Sequence, residues 1–150
     1  MKITVRLGQK SDLPQIVAAQ KSMAMESEGL ALDQNTLEKG VLGIFEKPQR
    51  GNYWIAEVDS KMAGMLLVVP EWSDWRNRDI WWIHSVYTWP EFRGQGVYKA
   101  LYSSLKEKVL ASDDLGGLRL YVETENLAAQ KVYKKLGMRD DHYFMYEWLK

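Results

Sequence analysis

Three groups of residues in this chain have the types and spacing to do chemistry. Arg93-Gly94-Gln95-Gly96-Val97-Tyr98 follows a run of β-branched and aromatic residues and opens an amphipathic stretch, so it reads as strand, glycine turn and helix start. That geometry suits an anionic phosphate. Glycine has no Cβ, so the backbone can approach a ligand closely, and the N–H groups of a first helical turn point at it with the positive end of the helix dipole behind them. Arg93 adds a planar, permanently charged fork that matches pyrophosphate oxygens. The same residues are also compatible with a tight turn and nothing more. Asn126, Ala129 and Tyr133, at i, i+3 and i+7, share one helical face. They fit either a site or an ordinary amphipathic helix whose Tyr fills the core. His84 is the one side chain of near-neutral pKa in its part of the chain, fit to carry a proton or to sit hydrogen-bonded in the core.

Composition excludes several other chemistries. Twenty basic residues balance twenty acidic ones, so no global field draws the protein onto nucleic acid or an anionic membrane, and any anion site must be local. There is no Cys, which removes disulfides, thiolate metal sites and a cysteine acyl-enzyme. With two His and no pair of them at helical spacing, no metal site is expected. No stretch approaches the ~20 apolar residues that span a bilayer, and the opening Met-Lys-Ile-Thr-Val-Arg lacks the apolar core of a signal peptide. The expectation is a cytoplasmic protein of one domain over residues 1–150, with no nucleic-acid or membrane partner.

The elements that must position these groups follow from periodicity. Ile3 to Leu7 alternates as a short strand. A helix starts at Ser11 or Asp12, tolerates Pro14 in its first turn, and runs to about Ser27 before Gly29. A second, capped by Asp33 or Asn35, carries Leu37, Val41, Ile44 and Phe45 until Pro48. Asn52–Val58 and Met62–Val69 are strands joined by Asp59-Ser60-Lys61, an antiparallel hairpin. Glu71 to Arg78 reads as a loop or strand extension whose Trp72 and Trp75 either fold back on the core or line an acceptor site. Ile80 to Trp89 is a fourth strand, and Val97, Leu101, Leu105 and Val109 form the apolar face of the helix after the glycine turn. Gly116-Gly117 closes that connection, and Leu118–Val122 reads as a fifth strand parallel to the fourth. Thr124 to Gly137 is a helix with Asn126 near its cap, and Tyr143–Leu149 reads as a final strand or two.

At Arg93 to Tyr98 the sequence resembles the signature of the GNAT superfamily of acyl-CoA-dependent N-acyltransferases: Arg or Gln, two residues, Gly, one residue, then Gly or Ala. Tyr98 departs from the small residue usual at the last position, leaving the turn less open or lined by the ring. Asn126-x-x-Ala129-x-x-x-Tyr133, followed by Gly137-Met138, resembles the family's second signature. The element order β-α-α-β-β-β-α-β-α-β is also the family's, so the resemblance implies an α/β fold with a splayed central mixed sheet.

The resemblance implies acetyl-CoA as cosubstrate and a primary amine as acceptor, small molecule or protein, with direct attack in a ternary complex and no metal; a homodimer is an admissible assembly. It implies that Val86, Tyr87 and Thr88, at the bulge of the fourth strand, receive the pantetheine arm and polarise the acyl carbonyl. Gly94, Gln95, Gly96, Val97 and Tyr98 with Arg93 would hold the pyrophosphate, Asn126 would hydrogen-bond pantetheine, and Tyr133 would protonate the departing thiolate. His84, placed by alternation on the face of Val86, matches a histidine of the arylalkylamine N-acetyltransferases and is a candidate base, with Glu123 and Glu71 as alternatives. Two competing readings are a catalytically silent acyl-CoA-binding or sensing domain and a nucleotide-binding module. The second lacks the Lys-Ser/Thr that would follow Gly96. Nothing in the sequence names the acceptor amine.

Overall fold

The computed structural model describes residues 1–150, which divide into two compact units, Met1–Arg119 and Leu120–Lys150. In the first unit a five-stranded sheet runs in chain order: β1 (Ile3–Leu7), β2 (Asn52–Val58), β3 (Lys61–Ser73), β4 (Arg78–Thr88) and β5 (Leu115–Arg119). The pairs are antiparallel up to β4, and β4–β5 is parallel. The β2–β3 link is a two-residue turn, because Asp59 and Ser60 both take left-handed φ, matching the strands' twist. The polar run after Val69 becomes strand: β3 and β4 extend together to a tip at Asp74–Asn77, where Asn77 has positive φ. Trp72 and Trp75 at this tip are exposed and do not fold back on the core.

Two helices cover one face of the sheet. α1 (Leu13–Glu28) stops at Gly29, whose left-handed φ of 62° lets its N–H return to Ala24 and Met25 carbonyls. α2 (Gln34–Glu46) is capped by Asp33, whose carboxylate accepts from Thr36 N at 2.9 Å. Ile16, Val17 and Ala19 of α1 and Val41 of α2 pack with Tyr53, Ile55, Met65 and Tyr87 of the sheet, and Leu67 joins from the margin. α3 (Val97–Ala111) covers the opposite face, burying Val97, Leu101, Tyr102 and Leu105 and placing Lys108 over the Trp54 ring at 5.2 Å. Asp12 does not cap α1 with its side chain. It accepts two bonds from Arg6, at 2.8 and 2.9 Å, and one from Gln9 N, tying β1 to the start of α1.

Three expectations are corrected. β5 begins at Leu115 and includes Gly116 and Gly117, because the backbone there passes so close to Ile80 that a Cβ on Gly116 would lie 3.0 Å from its Cδ1. The ladder ends at Arg119, so Leu120, Tyr121 and Val122 are not strand. In the second unit α4 spans Leu127–Lys135, shorter than the stretch from Thr124 to Gly137, with Asn126 as its cap. Residues 143–149 form no strand, for all their aromatic and alternating character.

Candidate active site

β4 carries the feature on which the site is built. Opposite β3 it pairs Thr88 with Gly64 and Tyr87 with Met65, but the next pair is His84 with Leu67, so β4 spends one more residue than β3 over this stretch. That is a β-bulge, and Ser85 within it takes a left-handed φ of 53°. On the other side, pairing with β5 runs only from Asp79 to Trp82. Beyond Trp82 the two parallel strands no longer hydrogen-bond, and the segment that leaves the ladder is Ile83–Thr88.

The bulge changes which side chains share a face. Simple alternation placed His84 with Val86, but residues directly opposed in antiparallel strands share a face. His84 opposes Leu67 and Tyr87 opposes Met65, and both partners look toward α1 and α2. His84 is therefore grouped with Tyr87, and the inserted residue removes Val86 from that set. Burial lowers the His84 pKa below its ordinary value, which keeps the imidazole neutral and able to accept a proton at neutral pH. Its ring lies 6.4 Å from that of Trp82.

After Trp89 the chain makes a 3₁₀ turn, Pro90–Phe92, and enters the glycine turn. Gly94 (φ 74°) and Gly96 (φ 84°) are both left-handed, and a Cβ added at either would meet no atom within 4 Å. Gly96 is also the residue before α3, and no side chain caps that helix start. The turn thus offers an uncapped helical N-terminus beside open space, as an anion site requires. Gln95 bonds back to the Glu91 carbonyl at 2.8 Å and fixes the turn's shape.

Arg93 is anchored within the protein. Its Nε donates to the Thr88 carbonyl at 3.0 Å, its guanidinium lies 5.5 Å from the Tyr87 ring centroid, and one terminal nitrogen meets Glu26 at 2.6 Å. Glu26 also accepts from the Tyr87 hydroxyl at 2.8 Å. The Tyr87 hydroxyl first and Arg93 second hold the Glu26 carboxyl below its usual range. The last turn of α1, the bulged strand and the glycine turn are so joined through one carboxylate. The sequence offers Glu26 only as one of several carboxylates that could attract a cationic amine; its link to Arg93 was missed, because no local pattern marks a contact 67 residues distant. Sequence reading also passed over Gly64, where a Cβ would sit 2.8 Å from both the Tyr87 carbonyl oxygen and Val97 Cγ1. A lone glycine inside a strand pattern was the available signal.

In the second unit the Asn126 side chain accepts from Ala129 N at 3.1 Å, so it serves as the cap of α4. Tyr133 is half-buried on this helix, and burial raises its pKa, which keeps the hydroxyl protonated at neutral pH. Of the alternative bases, Glu71 lies on the extended hairpin in an ion pair with Arg119 at 3.0 Å, and Glu123 is exposed. A cleft of about 400 Å³ lined by Gln15, Lys61, Trp89 and Phe92 includes none of the bulge or glycine-turn residues and is set apart from this chemistry. No group of acidic or histidine side chains that could hold a metal ion is present.

The model of the acetyltransferase (GNAT) family matches residues 19–138, which include the last ten residues of α1, the bulge, the glycine turn and α4. The chain belongs to the GNAT acetyltransferase family. A crystal structure described as a possible acetyltransferase from Clostridium difficile 630 is 35% identical, covers 100% of this chain and 99% of its own, and has a TM-score of 0.93. Among curated relatives, an uncharacterized N-acetyltransferase of Methanocaldococcus jannaschii is 30% identical over 63% of this chain, and the thialysine N-epsilon-acetyltransferase of Bos taurus is 35% identical over 53%. The chain spans only 42% and 45% of the lengths of those two relatives. A predicted acetyltransferase of Clostridium acetobutylicum, solved with acetyl-CoA, shares the GNAT fold at a TM-score of 0.76 and 18% identity, covering 97% of this chain and 96% of its own. No helix is long and apolar enough to cross a membrane.

Proposed function

We propose that this GNAT chain transfers an acetyl group from acetyl-CoA to a primary amine by direct attack in a ternary complex. The observation that carries the reading is the coincidence of the bulge at Ser85, the end of β4–β5 pairing at Trp82, and the open glycine turn a few residues on. The backbone of Val86, Tyr87 and Thr88 takes the amide arm as a strand would, and one of its N–H groups stabilises the oxyanion. The backbone of Gly94 to Tyr98 takes the pyrophosphate at the start of α3, with Arg93 as the adjoining cation and Asn126 serving the pantetheine arm.

The amine must be neutral to attack, and an alkylamine of pKa near ~10.4 is almost wholly protonated at neutral pH. His84, kept neutral by burial, takes that proton directly or through water. The amine nitrogen bonds to the acyl carbon to give the tetrahedral oxyanion, whose collapse breaks the C–S bond, and Tyr133, kept protonated by burial, supplies a proton to the thiolate. With no Cys in the chain, no thioester forms on a cysteine of the protein. The bovine relative, named for thialysine, supports an aminoalkyl acceptor of lysine-like reach. The test is a panel of primary amines assayed for release of CoA thiol. Turnover with aminoalkyl acceptors is the expected result. Tight acetyl-CoA binding without turnover across amino acids, polyamines and peptide lysines would instead mark a silent acyl-CoA-binding domain.

A further inference from the structure

Glu26 breaks a local rule. It stands in the last turn of α1, where the helix carbonyls already present partial negative charge, and that turn holds Glu28 as well and no basic residue. A carboxylate kept where its own helix opposes it answers to partners elsewhere in the fold. Those partners are the Tyr87 hydroxyl at 2.8 Å, on the bulged strand, and Arg93 Nη2 at 2.6 Å, at the start of the glycine turn. The Glu26 and Arg93 side chains are 46% and 47% exposed, and an ion pair so open to water adds little to stability. Its effect is geometric. Tyr87 belongs to the core cluster and is only 5% exposed, so packing fixes it and gives Glu26 a rigid support. Arg93 is different, because a guanidinium on a long flexible stem is aimed only by what holds it. The Thr88 carbonyl takes its Nε–H and Glu26 takes one N–H of Nη2, which leaves three of the five N–H groups for an anion.

We propose that Glu26 is a positioning residue for acyl-CoA: supported by the Tyr87 hydroxyl, it aims Arg93 so that the three remaining N–H groups face the pyrophosphate. The inference rests on the reading of the glycine turn as the pyrophosphate site. A carboxylate near a phosphate also repels it, but between half-exposed groups that repulsion is screened, and the aim of the guanidinium decides the sign. A group in its productive orientation only part of the time weakens apparent affinity by that fraction, so an Arg93 in place ~10–30% of the time raises Kd roughly 3–10-fold.

The test is calorimetric titration of the full chain with acetyl-CoA and with S-acetylpantetheine, which lacks the pyrophosphate. Glu26→Ala should weaken acetyl-CoA binding roughly 3–10-fold, leave S-acetylpantetheine affinity and the melting temperature unchanged, and add no further loss in an Arg93→Ala background. Glu26→Gln should restore most of the affinity, because its amide oxygen still accepts from both partners. If Arg93→Ala weakens acetyl-CoA binding while Glu26→Ala leaves it unchanged or tighter, the proposal is overturned and the pyrophosphate reading stands. Equal losses with both donors would make Glu26 a structural residue only, and a Gln variant as weak as the Ala variant would replace aim with charge; either result overturns the proposal. Acetyl-CoA affinity untouched by Arg93→Ala would overturn this proposal together with the assignment of Arg93 to the pyrophosphate.

Discussion

Gly64→Ala asks whether the bulged strand is held in shape by close backbone packing. A Cβ at this position would lie 2.8 Å from the Tyr87 carbonyl oxygen, 2.8 Å from Val97 Cγ1 and 3.2 Å from Thr88 Oγ1. The first is backbone of the bulge and the second belongs to the first residue of α3, which is only 2% exposed. Neither is the loose end of a flexible side chain, so β3 must move away from both. Overpacking of this kind costs ~1–3 kcal/mol, and at ~2–4 °C per kcal/mol for a chain of this size the melting temperature should fall by roughly 2–12 °C. Because the strain falls on Tyr87, Thr88 and the helix start, acetyl-CoA affinity should drop as well, measured by calorimetry well below the melting range. Gly117→Ala is the control, since its Cβ would meet only Ile80 Cδ1 at 3.9 Å. Equal melting temperatures and equal affinities for the two variants would refute the argument.

Tyr133→Phe keeps the ring and removes the hydroxyl, so kcat should fall by the ~10²–10⁴-fold of a lost general acid while acetyl-CoA affinity and melting temperature hold; wild-type kcat would exclude the role. The acidic limb of kcat/KM should report a group below the ordinary histidine value, since burial lowers the His84 pKa, and it should vanish in His84→Gln and stay fixed when acceptors of different amine pKa are compared. The same lowered pKa means that the folded state binds fewer protons at His84 than the unfolded chain, so this residue's effect on stability turns unfavourable as pH falls through the unfolded histidine value. Asp12→Asn should destabilise at neutral pH by ~1.5–3 kcal/mol, the scale of hydrogen bonds to charged groups. Because Arg6 holds the Asp12 carboxyl below its usual range, the difference from wild type should shrink as pH falls beneath the ordinary carboxylate value and on through the lowered one, and a gap constant down to pH 2 or so would contradict it.

Most of the fold was legible because its signals are local. The strand Asn52–Val58, the Asp33 cap, the stop at Gly29 and the glycine turn each declare themselves within a few residues. The bulge was expected from family resemblance, but its effect on parity was not. One inserted residue moved His84 from the face of Val86 to that of Tyr87, and no residue type near Ser85 announces a left-handed φ. The bridging role of Glu26 was invisible for the reason that long-range partners usually are: it depends on where Tyr87 and Arg93 arrive. The start of β5 was misplaced because two adjacent glycines signal a turn, whereas here they allow a strand to run close under Ile80.

The walls of the cleft between β4 and β5 should differ in age during folding. β2, β3 and β4 are joined by short turns and can zip together through local contacts. β5 reaches β4 only after the 15 residues of α3 close a loop, and it gains a ladder confined to Asp79–Trp82 for that entropy. Leu66→Ala in β3 should therefore slow refolding, whereas Leu118→Ala in β5 should chiefly hasten unfolding, a contrast readable in the two arms of a denaturant chevron. A chain caught early would already hold the bulge and lack the second wall, so the capacity to grip an acyl carrier would emerge only with the strand that arrives last and departs first.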